Sequence, residues 1–136
     1  MSDAEIIFGM EQTCFPGDFW SLDSVKSQLC QPGTLYRIIK VGGCEAGYAL
    51  GNVVADEAEL YRIAVLPEYR RQRLGKELLC GFLNLCREKA AAAVFLEVRS
   101  KNQGAIALYK SAGFAPVGMR KNYYKDDDGL IFRLEL

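Results

Sequence analysis

The sequence contains no histidine. That removes the commonest general base at neutral pH and the commonest metal ligand, so proton transfer falls to a carboxylate, tyrosine, lysine or cysteine. Net charge is absent too, since 17 lysines and arginines balance 17 aspartates and glutamates. A general nucleic-acid binder usually carries a large basic excess, so this balance argues against one and leaves room only for a local basic patch. Cys14, Cys30, Cys44, Cys80 and Cys86 are odd in number and include no C-x-x-C pair. Neither a disulfide framework nor a zinc cluster is indicated, and buried free thiols in a reducing cytosol are expected. A cysteine nucleophile would have no histidine to activate it. The chain also lacks internal repeats, linkers and low-complexity segments, and its acidic start, Met1-Ser2-Asp3-Ala4-Glu5, has no long apolar run behind it. That start is read as neither a signal peptide nor a membrane segment, which predicts a cytoplasmic protein without a membrane partner.

What is present fits one globular domain over residues 1–136, half hydrophobic and a quarter charged. Ser2 and Glu5 have capping-box spacing ahead of Ile6, Ile7, Met10 and Cys14, which predicts a helix from about Asp3 to Cys14. Ser21 caps a second short helix carrying Leu22, Val25 and Leu29. Leu35 to Val41, Ala46 to Val54 and Glu59 to Val65 read as an antiparallel meander turning at Gly42-Gly43 and Asp56-Glu57. From Leu74 to about Lys89, Leu74, Leu78, Leu79, Phe82 and Cys86 form one helical face. Val94 to Val98 is nearly all apolar and therefore expected to be a central strand. Asn102 to Ala112 is a helix ended by Gly113, and Phe114 to Arg120 and Leu130 to Leu136 are closing strands. The result is an α/β domain.

Pro67 to Lys76 joins a strand to a helix and places Arg70, Arg71, Arg73 and Lys76 at the helix start. Helix amino termini favour acidic residues, so cations gathered there suggest an anion, with a phosphate held by free backbone N–H groups as the natural candidate. A solvated basic turn is the plainer alternative. Gly75-Lys76 lacks the following serine or threonine and the upstream glycine of a P-loop, and no G-x-G-x-x-G occurs.

Arg70-Arg71-Gln72-Arg73-Leu74-Gly75 resembles the R/Q-x-x-G-x-G/A loop of the GNAT N-acetyltransferases. Asn102-x-x-Ala105-x-x-Leu108-Tyr109-x-x-x-Gly113-Phe114 resembles their second hallmark, in the expected order and separation. Leu96-Glu97-Val98-Arg99 and Arg120-x-Asn122-Tyr123-Tyr124, with the early Met10-Glu11 to Trp20-Ser21 segment, narrow the similarity to the RimI-like group. Members of that group acetylate the N-terminal alanine of ribosomal protein eighteen of the small subunit. The resemblance runs through most of the chain and implies a mixed, mainly antiparallel sheet flanked by helices and splayed near the cofactor. It implies acetyl-CoA as co-substrate, no metal, and a protein or peptide N-terminus as acceptor, without direct nucleic-acid contact. Direct attack of the amine on the thioester would follow. Ile63, Ala64 and Val65, with Arg70, Arg71, Gln72, Arg73, Leu74, Gly75 and Lys76, would hold coenzyme A, and Asn102 and Tyr109 would touch it. Glu97 matches the general base and Tyr109 the acid that protonates the departing thiolate. Trp20, Arg62, Tyr123 and Tyr124 would serve the acceptor, the two tyrosines from a loop over its amine.

The residues agree with these roles. Glu97 is the only ionisable group within Ala91 to Val98, where burial would raise a carboxylate towards a base's range. Tyr109 lies two helical turns after Asn102, so both can face one cleft, and a phenol that titrates near about 10 suits a proton donor to a thiolate. There are departures. Arg73 replaces a glycine of the loop, and either obstructs the approach to phosphate or adds a charge-assisted bond to it. Arg62 takes a position usually small or uncharged, two extra residues separate Pro16 from Trp20, and the sequence opens on a helix where the family has a strand. A GNAT enzyme of a small amine or another protein, and a non-catalytic coenzyme A-binding module, fit the same motifs.

Overall fold

The first two helices are started by the residues that the sequence singles out. In a computed structural model describing residues 1–124 and 126–136, Ser2 caps α1 (Asp3–Cys14), and both halves of its capping box with Glu5 are formed. Ser21 caps α2 (Leu22–Leu29) by accepting from the Ser24 N–H. Three strands follow, β1 (Thr34–Val41), β2 (Cys44–Val54) and β3 (Glu57–Val65), then a 3-10 turn at Pro67–Tyr69. The second half comprises α3 (Leu74–Glu88), β4 (Ala93–Arg99), α4 (Gln103–Ser111), β5 (Ala115–Tyr124) and β6 (Asp127–Glu135). Gly113 ends α4 in the left-handed region, φ 101°, as expected of a residue just past a helix.

The six strands form one sheet in the order β1-β2-β3-β4-β6-β5, so β4 is internal, as its apolar run predicts. Every pairing is antiparallel except β3 with β4. That parallel ladder spans only Glu57–Leu60 against Ala93–Leu96. Beyond it β3 continues to Val65 and β4 to Arg99 without pairing each other, and the sheet opens into a wedge.

A bulge in β3 decides which side chains face that wedge. The register passes from Leu50↔Arg62 to Gly51↔Leu60, leaving Tyr61 extra. An extra residue reverses the inside–outside alternation of a strand. Leu60 accordingly packs in the cluster under α3, whereas Ala64 packs in the cluster under α1 and α2. Arg62 turns with Ala64 and meets Glu11 of α1. On the other face α3 lies close on β2: a Cβ on Gly51 would fall 2.5 Å from the Phe82 ring. Phe82 is fully buried there, and such burial contributes on the order of 2–3 kcal/mol.

The cysteines are free, but only Cys86 is buried. Cys14 is half-buried, and Cys30, Cys44 and Cys80 are exposed. Cys80 follows the inward-facing Leu78 by two residues, about 200° around the helix, so its thiol leaves the apolar stripe. Cys30 follows the last turn of α2, and Cys44 opens β2 at a tight turn.

Candidate active site

The wedge is a cleft of about 420 Å³ between the diverging strands. Its walls carry Arg62 and Ile63 from β3, Glu97 from β4, Asn102 and Tyr109 at α4, and Tyr124 at the end of β5. The segment Phe15–Asp18, after α1, closes one side. An adjoining groove of about 640 Å³ shares Phe15, Ile63, Asn102 and Ala105 with the cleft and continues along Ala64, Val65, Arg70, Arg71 and Gly75. Residues far apart in sequence thus meet along one continuous trough.

Glu97 sits with Ile131 of β6 as its cross-strand partner. Its Oε1 lies 3.5 Å from Arg120 Nε, and the side chain is 20% exposed, so the carboxylate is half-buried rather than enclosed. Oε2 is buried and, among the described residues, has no hydrogen-bond partner. It approaches Gly129 so closely that a Cβ there would lie 2.6 Å away. Tyr109 points inward from α4, packed 5.9 Å from the Phe114 ring. Burial, helped by neighbouring Tyr124, pushes its hydroxyl up to about 12. Tyr124 is itself raised, first by burial and then by the charge of Glu97. Asn102 caps α4, its side-chain oxygen accepting from the Ala105 N–H at 3.2 Å, which leaves its amide hydrogens for the trough.

The basic loop is shaped by backbone conformation as well as charge. Arg71 (φ 66°) and Arg73 (φ 60°) are both left-handed. A side chain in this region costs about 1–2 kcal/mol, which a glycine at position 73 would avoid. Arg70 folds back so that its Nε donates to the Val65 carbonyl at 3.0 Å. Among the described residues no side chain caps α3, so the amides of its first turn remain free for an anion. Arg71 and Arg73 are exposed and, among the described residues, make no ion pair. Arg73, Leu74 and Lys76 border a smaller hollow beside Val65 and Gly75, whereas Gln72 is exposed and lines none of these spaces. Free donors and cations beside an unpaired strand edge fit a pyrophosphate attached to an extended chain, the chemistry of coenzyme A.

Two expected acceptor residues stand elsewhere. Trp20 lies outside the cleft, tilted against Tyr61 at 6.1 Å. Tyr123 is 52% exposed, edge-on to Tyr124 at 5.1 Å. Both tyrosines belong to β5 rather than to a loop. Lys121, Asn122 and Tyr123 together oppose only Asp128, between the pairs Arg120↔Gly129 and Tyr124↔Asp127. Left-handed Asn122 (φ 54°) makes the extra turn, and its N–H donates to the Asp128 carboxylate at 2.7 Å. Sequence reasoning missed Glu11, which is 1% exposed and contacts Arg62 behind the cleft. The signal was available: a carboxylate one helical turn after Ile7, within the apolar face of α1.

The sequence model of the acetyltransferase (GNAT) family matches residues 5–114. A relative from Bacillus subtilis, whose provisional name is ribosomal protein bS18-alanine N-acetyltransferase, is 40% identical over 96% of this chain and 88% of its own. The N-alpha-acetyltransferase RimI of Mycobacterium tuberculosis is 36% identical over 91% of this chain and 80% of its own. The crystal structure of the ribosomal-protein-S18-alanine N-acetyltransferase from Escherichia coli matches with a TM-score of 0.90 and 36% identity, covering 98% of this chain and 87% of that one. A family match running from α1 to Phe114, with relatives aligned over more than nine-tenths of the chain, means that the chain belongs to the GNAT family of acetyl-CoA-dependent N-acetyltransferases.

Proposed function

We propose that this enzyme acetylates the N-terminal alanine of a small-subunit ribosomal protein in the cytosol, with one domain carrying the whole reaction. The names of its relatives support the acceptor. One observation supports the chemistry: the half-buried Glu97 carboxylate and the protonated Tyr109 hydroxyl belong to residues that line one cleft. Acetyl-CoA supplies an acyl group already activated as a thioester. The Glu97 carboxylate takes a proton from the acceptor amine, directly or through one water. Tyr109 Oη holds its proton for the departing sulfur. The splayed edge of Ile63, Ala64 and Val65 orients the pantetheine, and the free amides at the start of α3 with the loop arginines hold the pyrophosphate. Asn102 contributes its free amide hydrogens. Tyr124 borders the amine, and Tyr123 and Trp20 support the outer wall. The test is acetylation of a peptide with the N-terminal sequence of that ribosomal protein, beside an N-blocked copy and a panel of small amines. Transfer to the free peptide alone is expected; transfer to the amines alone would replace this acceptor.

Saturating coenzyme A, at about 100 times its dissociation constant, should stabilise the fold by about 2.7 kcal/mol. Differential scanning fluorimetry reads this directly, and no shift at millimolar acetyl-CoA would remove the cofactor assignment from the trough. Arg73→Gly separates the two jobs of the loop. The unliganded protein should gain about 1 kcal/mol, because the left-handed strain is relieved. Coenzyme A should bind more weakly and with less sensitivity to salt, because a charge-assisted bond is lost. Melting curves at two salt concentrations, with and without coenzyme A, check both parts. Tighter binding would mean that the arginine only obstructs.

A further inference from the structure

Arg62 faces the cleft, yet its donors are directed to its own chain. Its Nη2 donates to the Asp18 carbonyl at 2.6 Å, and its Nη1 lies 3.7 Å from the Asp18 carboxylate. Nε stands 3.4 Å from Glu11 Oε2. The guanidinium is 4.2 Å from the centroid of the Phe15 ring and 5.7 Å from that of Trp20. Buried Glu11 completes the arrangement, its Oε1 accepting from the Trp20 N–H at 2.9 Å and its Oε2 from the Tyr48 hydroxyl. Burial and that bond hold Tyr48 far above the ordinary tyrosine range, so it remains a donor. One guanidinium and one carboxylate therefore grip both ends of the segment Phe15–Trp20, whose first part is the cleft wall opposite Glu97 and Tyr109. This segment has no helix or strand of its own to set its position.

We propose that Arg62 is a positioning residue for the acceptor: with Glu11 it fixes the Phe15–Trp20 wall against which the acceptor peptide lies, without contacting coenzyme A. The inference rests on reading the cleft as the site of acetyl transfer. A largely buried ion pair, in charge contact at 3.4 Å with each member hydrogen-bonded to the segment, suits the task because loss of one partner leaves the other charge stranded, so the segment has few alternative positions. Displacement of a wall by about 1 Å is enough to change how often the amine meets the donor.

Arg62→Lys is the primary test, since it keeps a cation for Glu11 but loses the planar fork that reaches Asp18 and stacks on Phe15. The double change Glu11→Gln with Arg62→Met is the second, since it leaves no unpaired buried charge. For each, kinetics on the alanine-initiated peptide are measured beside acetyl-CoA affinity by calorimetry and hydrogen exchange across residues 15–20. The expected result is a peptide KM raised about tenfold or more, acetyl-CoA affinity within about twofold, and faster exchange at the Trp20 amide. An unchanged peptide KM, or acetyl-CoA affinity falling in step with it, would overturn the proposal. Failure of the wild-type enzyme to acetylate the peptide would instead overturn the acceptor assignment. The exchange measurement needs no turnover, and unchanged protection at Trp20 refutes the clamp even then.

Discussion

Glu97→Gln is expected to lower kcat/KM by about 10²- to 10⁴-fold while the protein stays folded and binds acetyl-CoA normally. The amide keeps the shape of the side chain beside Gly129 and loses only its basicity. Its pair with Arg120 is partly solvated, with the Arg120 side chain 57% exposed, so the cost to stability should stay below about 1 kcal/mol. The pH profile carries a second signature. Wild-type rate should rise with pH, because the attacking amine must be neutral and an α-amino group titrates near about 8. Glu97→Gln should depend on pH more steeply, since only amines already deprotonated in solution remain reactive. A folded variant with near wild-type turnover on the peptide would take Glu97 out of the mechanism.

Tyr109→Phe should lose a similar factor, about 10²- to 10⁴-fold, at every pH. It should keep the rising limb, because proton removal from the amine is untouched. In the wild type the hydroxyl is pushed up to about 12, so turnover should show no alkaline fall before the pH approaches that value. The sign for stability is fixed by the same shift. A buried phenol above its ordinary value near about 10 contributes fully below that pH, and its contribution is lost as pH rises from there to about 12. Tyr109→Phe should remove this alkaline loss while preserving the packing on Phe114. Steady-state kinetics beside fluorimetry at several pH values measure both effects. Unchanged turnover, or an alkaline fall beginning near neutrality, would exclude Tyr109 as the acid.

The parts legible in the sequence were those governed by neighbours along the chain. Ser2 with Glu5, Ser21 before Leu22, and Gly113 after α4 are local signals, and each marks its element where expected. The run Val94 to Val98 identified an internal strand because burial on both faces leaves little room for polar residues. Three features resisted because they depend on distant residues. The bulge that turns Arg62 towards α1 is a register event between β2 and β3. The left-handed backbone of Arg73 contradicts its local preference and is held by the structure around the loop. Arg62 and the longer segment after Pro16 looked like unrelated departures from the family pattern; the bond from Arg62 to the Asp18 carbonyl joins them. Among the cysteines, hydrophobicity of type was a poorer guide than helical phase, as exposed Cys80 shows.

The place of β6 in the sheet has a consequence for how the enzyme comes into being. Glu97 pairs with Ile131 and abuts Gly129, yet β4 is made before α4, β5 and β6. During translation, at about 5–20 residues per second, Glu97 therefore exists for seconds on a strand whose second neighbour is still inside the ribosome. β1 to β3 can pair and α3 can cover them, but β4 has no partner on its far side until residues 127–135 emerge. A nascent chain stalled before Asp127 should therefore be inactive however well its first half has folded.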